Sequence, residues 1–256
     1  RDDVESRGLG DVYKRQGING WEFSVEGYYK DMRNVLEYKD GVSFFGSSSG
    51  WENKVEIGKG RSAGIEFMAQ KTAGKTTGWL SYTLSKSDRK FTKGGINNGE
   101  WFPYKYDRRH SINLTINHKF SDRIDIGASW VFYTGGTSTI PEEKTTVIRP
   151  HNGANNGFLW YGTYDNTNSS PTIGDVSYIE HRNNFRLPAS HRLNLGVNFN
   201  KKTKHGMRTW NISLYNAYNA MNPAWVYRGH NKQGLSVIKK YTLLPLIPSF
   251  TYTYKF

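Results

Sequence analysis

From Gly17 onward the sequence keeps returning to segments in which apolar and polar residues alternate. Trp21, Phe23, Val25 and Tyr29 fall on one side, and Glu22, Ser24, Glu26 and Tyr28 on the other. Ile65, Phe67 and Ala69 oppose Glu66, Met68 and Gln70. The same period returns at Leu80/Tyr82/Leu84, Ile112/Leu114/Ile116, Ile124/Ile126/Ala128/Trp130/Phe132, Leu193/Leu195/Val197/Phe199, Trp210/Ile212/Leu214 and Phe250/Tyr252/Tyr254/Phe256. A period of two marks strands with one apolar face. Eight strands are expected, and the fold class is all-β.

The connections sort by length. Lys71–Thr76, Phe120–Asp122 and Lys201–Gly206 are short and polar, whereas 32–56, 88–106, 135–187 and 219–239 are long. Short and long links alternate strictly. Soluble sandwiches seldom sort their loops this way. Transmembrane β-barrels do, with short turns on the periplasmic side and long loops outside. Several strands extend to about ten residues, the length that a tilted membrane strand needs.

Periodicity alone does not say whether the apolar face meets a core or lipid. Composition weighs for lipid. Apolar residues, Tyr included, make up only 36% of the 256 residues while aromatics reach 15%. The mean hydropathy is −0.72. Aromatic residues sit near strand ends, such as Trp130, Phe132 and Tyr133 before a long loop and Phe120 and Phe199 beside short turns. Tyr and Trp favour the membrane interface. No run approaches the roughly 18 apolar residues of a spanning helix. The absence of Cys excludes disulfides, zinc–thiolate sites and cysteine nucleophiles. The net charge of +13 is spread along the chain, so it does not mark a nucleic-acid surface.

Residues 1–16 show no usable period and no signal-peptide pattern. Asp3–Gln16 resembles a translated sequencing-adapter scar, so 1–16 is set apart as a non-native or disordered tail and 17–256 is taken as the barrel segment.

The chain closes on Phe250, Tyr252, Tyr254 and Phe256 in one row. A final strand ending on an aromatic residue resembles the assembly signal of bacterial outer-membrane barrels. More specifically, residues 17–256 resemble the C-terminal part of a TonB-dependent outer-membrane receptor. The resemblance rests on Gly64-Ile65-Glu66-Phe67, Gly78-Trp79-Leu80-Ser81-Tyr82-Thr83-Leu84-Ser85, Tyr106-Asp107-Arg108-Arg109-His110, Leu187-Pro188-Ala189-Ser190-His191-Arg192-Leu193, Tyr215-Asn216-Ala217-Tyr218-Asn219 and Leu244-Pro245-Leu246-Ile247-Pro248.

That resemblance implies a transmembrane antiparallel β-barrel of about 22 strands, of which this chain supplies roughly the last eight, plugged by an N-terminal domain. It implies the outer membrane of a Gram-negative bacterium. It also implies uptake of an iron chelate, cobalamin or glycan, with energy from TonB through a region not in this sequence. The expected partners are outer-membrane lipid, the barrel-insertion machinery, the TonB complex and a small ligand. The alternative is a complete eight-stranded barrel acting as porin, adhesin or anchor. An outer-membrane lipid hydrolase and a soluble basic β-protein are further alternatives.

No catalytic, cofactor or metal set emerges. The seven His residues form no ligand pair, and no Gly-x-Ser-x-Gly elbow is present. Asp107-Arg108-Arg109-His110 and His191-Arg192 read as rims where strands leave long loops, holding lumen charge networks or lipopolysaccharide phosphates. The candidate extracellular ligand contacts are Trp101 and Tyr104 in one aromatic loop, and Trp160 and Tyr161 in another. Loops held by a rigid scaffold are where recognition concentrates.

Overall fold

The computed structural model of the chain describes residues 6–8, 12–18, 20–39, 50–92, 95–141, 143–149 and 172–256. Its centre is an antiparallel sheet whose main strands are β1 (Val12–Ile18), β2 (Trp21–Tyr38), β3 (Val55–Lys71), β4 (Thr76–Lys90), β5 (His110–Lys119), β6 (Ile124–Tyr133), β7 (Ser190–Thr203), β8 (Gly206–Tyr215) and β9 (Ile247–Lys255). Each pairs with its sequence neighbour. Two short pieces, Ser6–Gly8 on β2 and Phe102–Pro103 on β4, complete eleven strands. All eight expected strands are present, as β2 to β9. Among the described residues the sheet is an open path, with β9 at one edge. No α-helix appears among them.

Several boundaries differ from those expected. β1 crosses the division drawn after residue 16 and pairs Lys14 with Val25. β2 runs on through Met32–Tyr38, and β4 runs on to Lys90. Both stretches read as loop because charged residues there occupy outward positions and break the apolar period. β7 continues into the basic run as far as Thr203, so only 204–205 turns. The links 134–189 and 216–246 carry ribbons of their own, Glu143–Arg149 with Thr172–Tyr178 and Pro223–His230 with Ser236–Thr242.

The sorting of connections holds. The links 19–20, 72–75, 120–123 and 204–205 lie at one end, and 39–54, 91–109, 134–189 and 216–246 at the other. The 120–123 turn shows how a short link is set. The Ser121 hydroxyl accepts the Arg123 and Ile124 amides at 3.2 Å each, and Phe120 N–H donates to the Ile124 carbonyl. Lys119 Nζ meets Asp122 Oδ1 at 2.8 Å.

Register carries the apolar side chains into continuous rows. One runs Phe23–Ala69–Leu80–Leu114–Trp130–Leu193, and another runs Ile126–Val197–Ile212–Phe250. Apart from the small Ala69, which is buried, the outward apolar residues are not a core: Ile65 in a neighbouring row is 56% exposed, Ile212 50% and Phe250 65%. An uncovered apolar band across eight strands far exceeds the few hundred Å² that soluble monomers expose, and it matches the lipid-facing band of a membrane barrel.

The opposite face is polar. Asn198 Nδ2 and Asn200 Nδ2 donate to the two Asp125 oxygens at 2.7 and 2.6 Å. Asn211 Nδ2 donates to Asn198 Oδ1, and Thr209 donates to Asn200 Oδ1. This ladder ties β6, β7 and β8 together across their inner surface. Toward the loop end of β2–β4 the inner side instead closes over a small apolar cluster of Val35, Phe91, Ile96 and Phe102, with Met32 against it. Gly64, in the Gly-Ile-Glu-Phe motif, lies under the Tyr28 ring, which a Cβ there would meet at 2.7 Å.

Candidate ligand-binding loops

Two long loops meet at one buried carboxylate. Asp107, fully buried at its side chain, accepts the Ser87 amide at 2.7 Å through Oδ1. Its Oδ2 meets Arg109 Nε at 3.0 Å and Arg186 Nη2 at 2.6 Å. Arg186 Nη1 also donates to the Asp107 and Gly135 carbonyls. A carboxylate buried this deeply persists only because charged donors surround it. The loops 91–109 and 134–189 are thus pinned together above β4. Gly135 and Gly136 allow the close approach, since a Cβ there would meet the Leu187 and Lys105 carbonyl oxygens at 2.0 and 2.5 Å.

The third loop, 216–246, closes on itself. Asn216, buried and at a φ of 53°, donates to the Ala220 and Leu244 carbonyls and accepts the Ala220 amide. Asn219 Oδ1 accepts the Leu246 amide. Asn222 brackets the His191 backbone, accepting its N–H and donating to its carbonyl. The two rim histidines play matching parts: His110 Nδ1 pairs with Tyr82 Oη and His191 Nδ1 with Tyr218 Oη, both at 2.8 Å.

Between the three loops lies a cavity of about 410 Å³, lined among others by Lys105, Tyr106, Arg108, Tyr133 and Trp225. The Arg108 guanidinium sits 3.9 Å from the Tyr133 ring centroid. Tyr106 is 63% exposed. Trp225 stacks on Tyr241 at 4.3 Å with an interplanar angle of 9°. Flat aromatic faces beside cations suit ring-bearing or anionic molecules.

The residues chosen from sequence fall differently. Trp101 lies under Arg61, 4.4 Å from guanidinium carbon to ring, and Tyr104 under Arg89 at 4.2 Å. Arg61 pairs in register with Asp88, the residue next to Arg89, so the two arginines point to opposite faces of the sheet. Trp101 and Tyr104 are therefore held apart rather than combined in one site. Trp160 and Tyr161 lie outside the described residues. Phe250, Tyr252 and Tyr254 belong to β9, where Trp210 stacks against Phe250 and meets Tyr252 at a tilt. Tyr106 belongs to the same aromatic loop as Trp101 and Tyr104 but not to the candidate contacts, and Trp225 to neither. The alternation Trp225-x-Tyr227 inside a long link was the available signal.

Among the described residues, no group of three metal-ligating side chains forms. Asp122 is held below the usual carboxylate range, first by the Lys119 hydrogen bond and then by the charge of the same lysine.

The family description "TonB dependent receptor-like, beta-barrel" matches residues 12–228. The chain belongs to the TonB-dependent receptor β-barrel family. Comparison with curated proteins returns no match. Receptors of this family belong to the outer membrane of Gram-negative bacteria, and they act with TonB and with ligands. In that setting the exposed apolar rows fit a lipid-facing wall.

Proposed function

We propose that this chain is the C-terminal wall and mouth of an outer-membrane receptor that takes up a scarce ligand by a TonB-dependent route. On this reading β1–β9 are nine successive strands of a barrel of about 22. It acts by binding and transport, not by catalysis. The ligand comes from the iron-chelate, cobalamin or glycan class. The observation that carries the reading is the meeting of three long loops around one cavity bearing Tyr106, Trp225 and the stacked Arg108–Tyr133 pair. β9, closing on the Phe250/Tyr252/Tyr254/Phe256 row, serves as the signal for the insertion machinery.

Uptake into cells carrying the whole receptor provides the test. Replacing both Tyr106 and Trp225 with Ala is expected to lower ligand binding about 10- to 100-fold, since a base- or ring-stacking contact is worth about 1–3 kcal/mol. Surface level of the receptor should stay unchanged. Undiminished uptake by the double variant at equal surface level would move the ligand away from this cavity.

A further inference from the structure

The outward face of β2–β4 changes chemistry toward the loop end. The row Gly27–Ile65–Leu84 is apolar. Two rows on, Asp31–Arg61–Asp88 alternates in sign, with Arg61 Nη2 3.0 Å and Lys86 Nζ 3.5 Å from Asp88 Oδ2. The next row is Arg33–Lys59–Lys90, three cations directly opposite one another across two strand pairs. Like charges in that arrangement destabilise a sheet. Among the described residues no carboxylate pairs with Lys59 or Lys90, and Arg33 reaches only the half-exposed Asp31 at 4.0 Å.

The row borders a groove of about 590 Å³ that Lys39 also lines. One carboxylate shares the lining, Glu56, which is buried and accepts no hydrogen bond at either oxygen. Four cations thus face one carboxylate. The groove suits an anion that no described residue supplies.

Height identifies the anion. Trp21 begins the apolar band, and Arg33 lies twelve residues along the same strand. At about 3.3 Å per residue and a tilt of about 40°, that is about 30 Å along the membrane normal. The apolar band of an outer-membrane barrel is about 25 Å tall. The cationic row therefore stands a few ångströms beyond the hydrocarbon, on the loop side. Trp101, stacked on Arg61, adds an interfacial aromatic beside it.

We propose that Arg33, Lys59 and Lys90 bind the phosphate groups of an anionic glycolipid in the outer leaflet. This goes beyond ligand uptake and rests only on the membrane placement of the sheet. It also revises which cations face phosphate. Arg109 is bound by Asp107, while Arg108 and Arg192 stack on Tyr133 and Tyr215. The row of adjacent cations without a carboxylate between them stands on β2–β4 instead.

The test uses the whole receptor, extracted from outer membranes in mild detergent and examined by native mass spectrometry. The probes are bis-phosphorylated lipid A and its dephosphorylated form. The receptor should retain the phosphorylated lipid preferentially. A Lys59→Gln/Lys90→Gln variant should lose retention about 30-fold, from the contribution of each basic residue near an anionic surface. A Lys59→Arg/Lys90→Arg variant should keep it. Lys201→Gln/Arg208→Gln, removing the like-charged pair at the turn end, should also keep it, because that pair faces the other leaflet.

Equal retention of both lipids, or undiminished retention by the Gln variant, overturns the proposal. So does loss in the Arg variant, which would make shape rather than charge decisive. Displacement of the lipid by millimolar inorganic phosphate would reassign the groove to a free anion. A receptor that carries neither lipid would strike at the membrane placement itself, and with it the proposal.

Discussion

β2–β4 and β5–β9 meet the membrane in different ways. β2, β3 and β4 have 18, 17 and 15 residues, longer than the apolar band requires, and their outward rows pass from apolar to charged. β5, β6 and β8 have 10 residues each, β9 has 9 and β7 reaches 14 only through its basic turn end, and their outward rows stay mostly apolar. Their inner faces differ too. The long strands are held at the loop end by a knot of apolar side chains around Phe91, and the shorter ones by a ladder of amides around Asp125. On the proposed placement, part of the sheet therefore reaches past the bilayer as a continuous wall. The rest hands over to separate ribbons.

Cutting each device separately is the sharpest way to break this contrast. Phe91→Ala should have the largest effect, about 3–5 kcal/mol for a fully buried aromatic. Hydrogen exchange should rise at the tips of β2–β4 and not in β6–β8. A uniform rise would mean that the two regions open together. Asp107→Ala should follow, at about 3 kcal/mol. That is the low end for a broken buried pair, because Arg109 and Arg186 are partly exposed. Its readout is faster tryptic cleavage within 134–189, with the β-sheet signal unchanged.

Asp125→Ala should cost about 2 kcal/mol, the scale of a hydrogen bond to a charged group. It should speed exchange in β6–β8 alone, measured against the Phe91 variant. The smallest effect belongs to the turn end. Asp122 is held below its ordinary range by Lys119, so its contribution is present above the unfolded carboxylate value of about 4. It is lost as the pH falls through the lowered native value. Asp122→Asn should differ from the parent only slightly at pH 7, since both groups are exposed. The difference should vanish in strong acid, a pattern that urea titrations at several pH values would reveal.

Most of the sheet was legible because lipid-facing residues obey a period that needs no tertiary knowledge. Leu80, Tyr82 and Leu84 announce their strand by themselves. Met32–Tyr38 did not, because Asp31 and Arg33 occupy outward positions above the bilayer, where apolar residues lose their advantage. The rim was half legible. Asp107-Arg108-Arg109-His110 could be placed where a loop becomes a strand, but Arg186, 79 residues away, gives no local sign of its part. The cavity was least legible. Tyr106 and Trp225 become neighbours only through loops whose course depends on Asp107, Asn216 and Asn222. The Arg33–Lys59–Lys90 row likewise exists only once register is known.

Strict pairing of each main strand with its sequence neighbour also limits how such a sheet can change in evolution. Inserting or deleting a single strand would reverse the direction of everything after it. Every later loop would then emerge on the wrong side of the membrane. A hairpin is the smallest edit that preserves sidedness, so wall size is expected to vary among descendants in even steps. Within each hairpin the outer loop is free to diverge, while its short turn has little latitude.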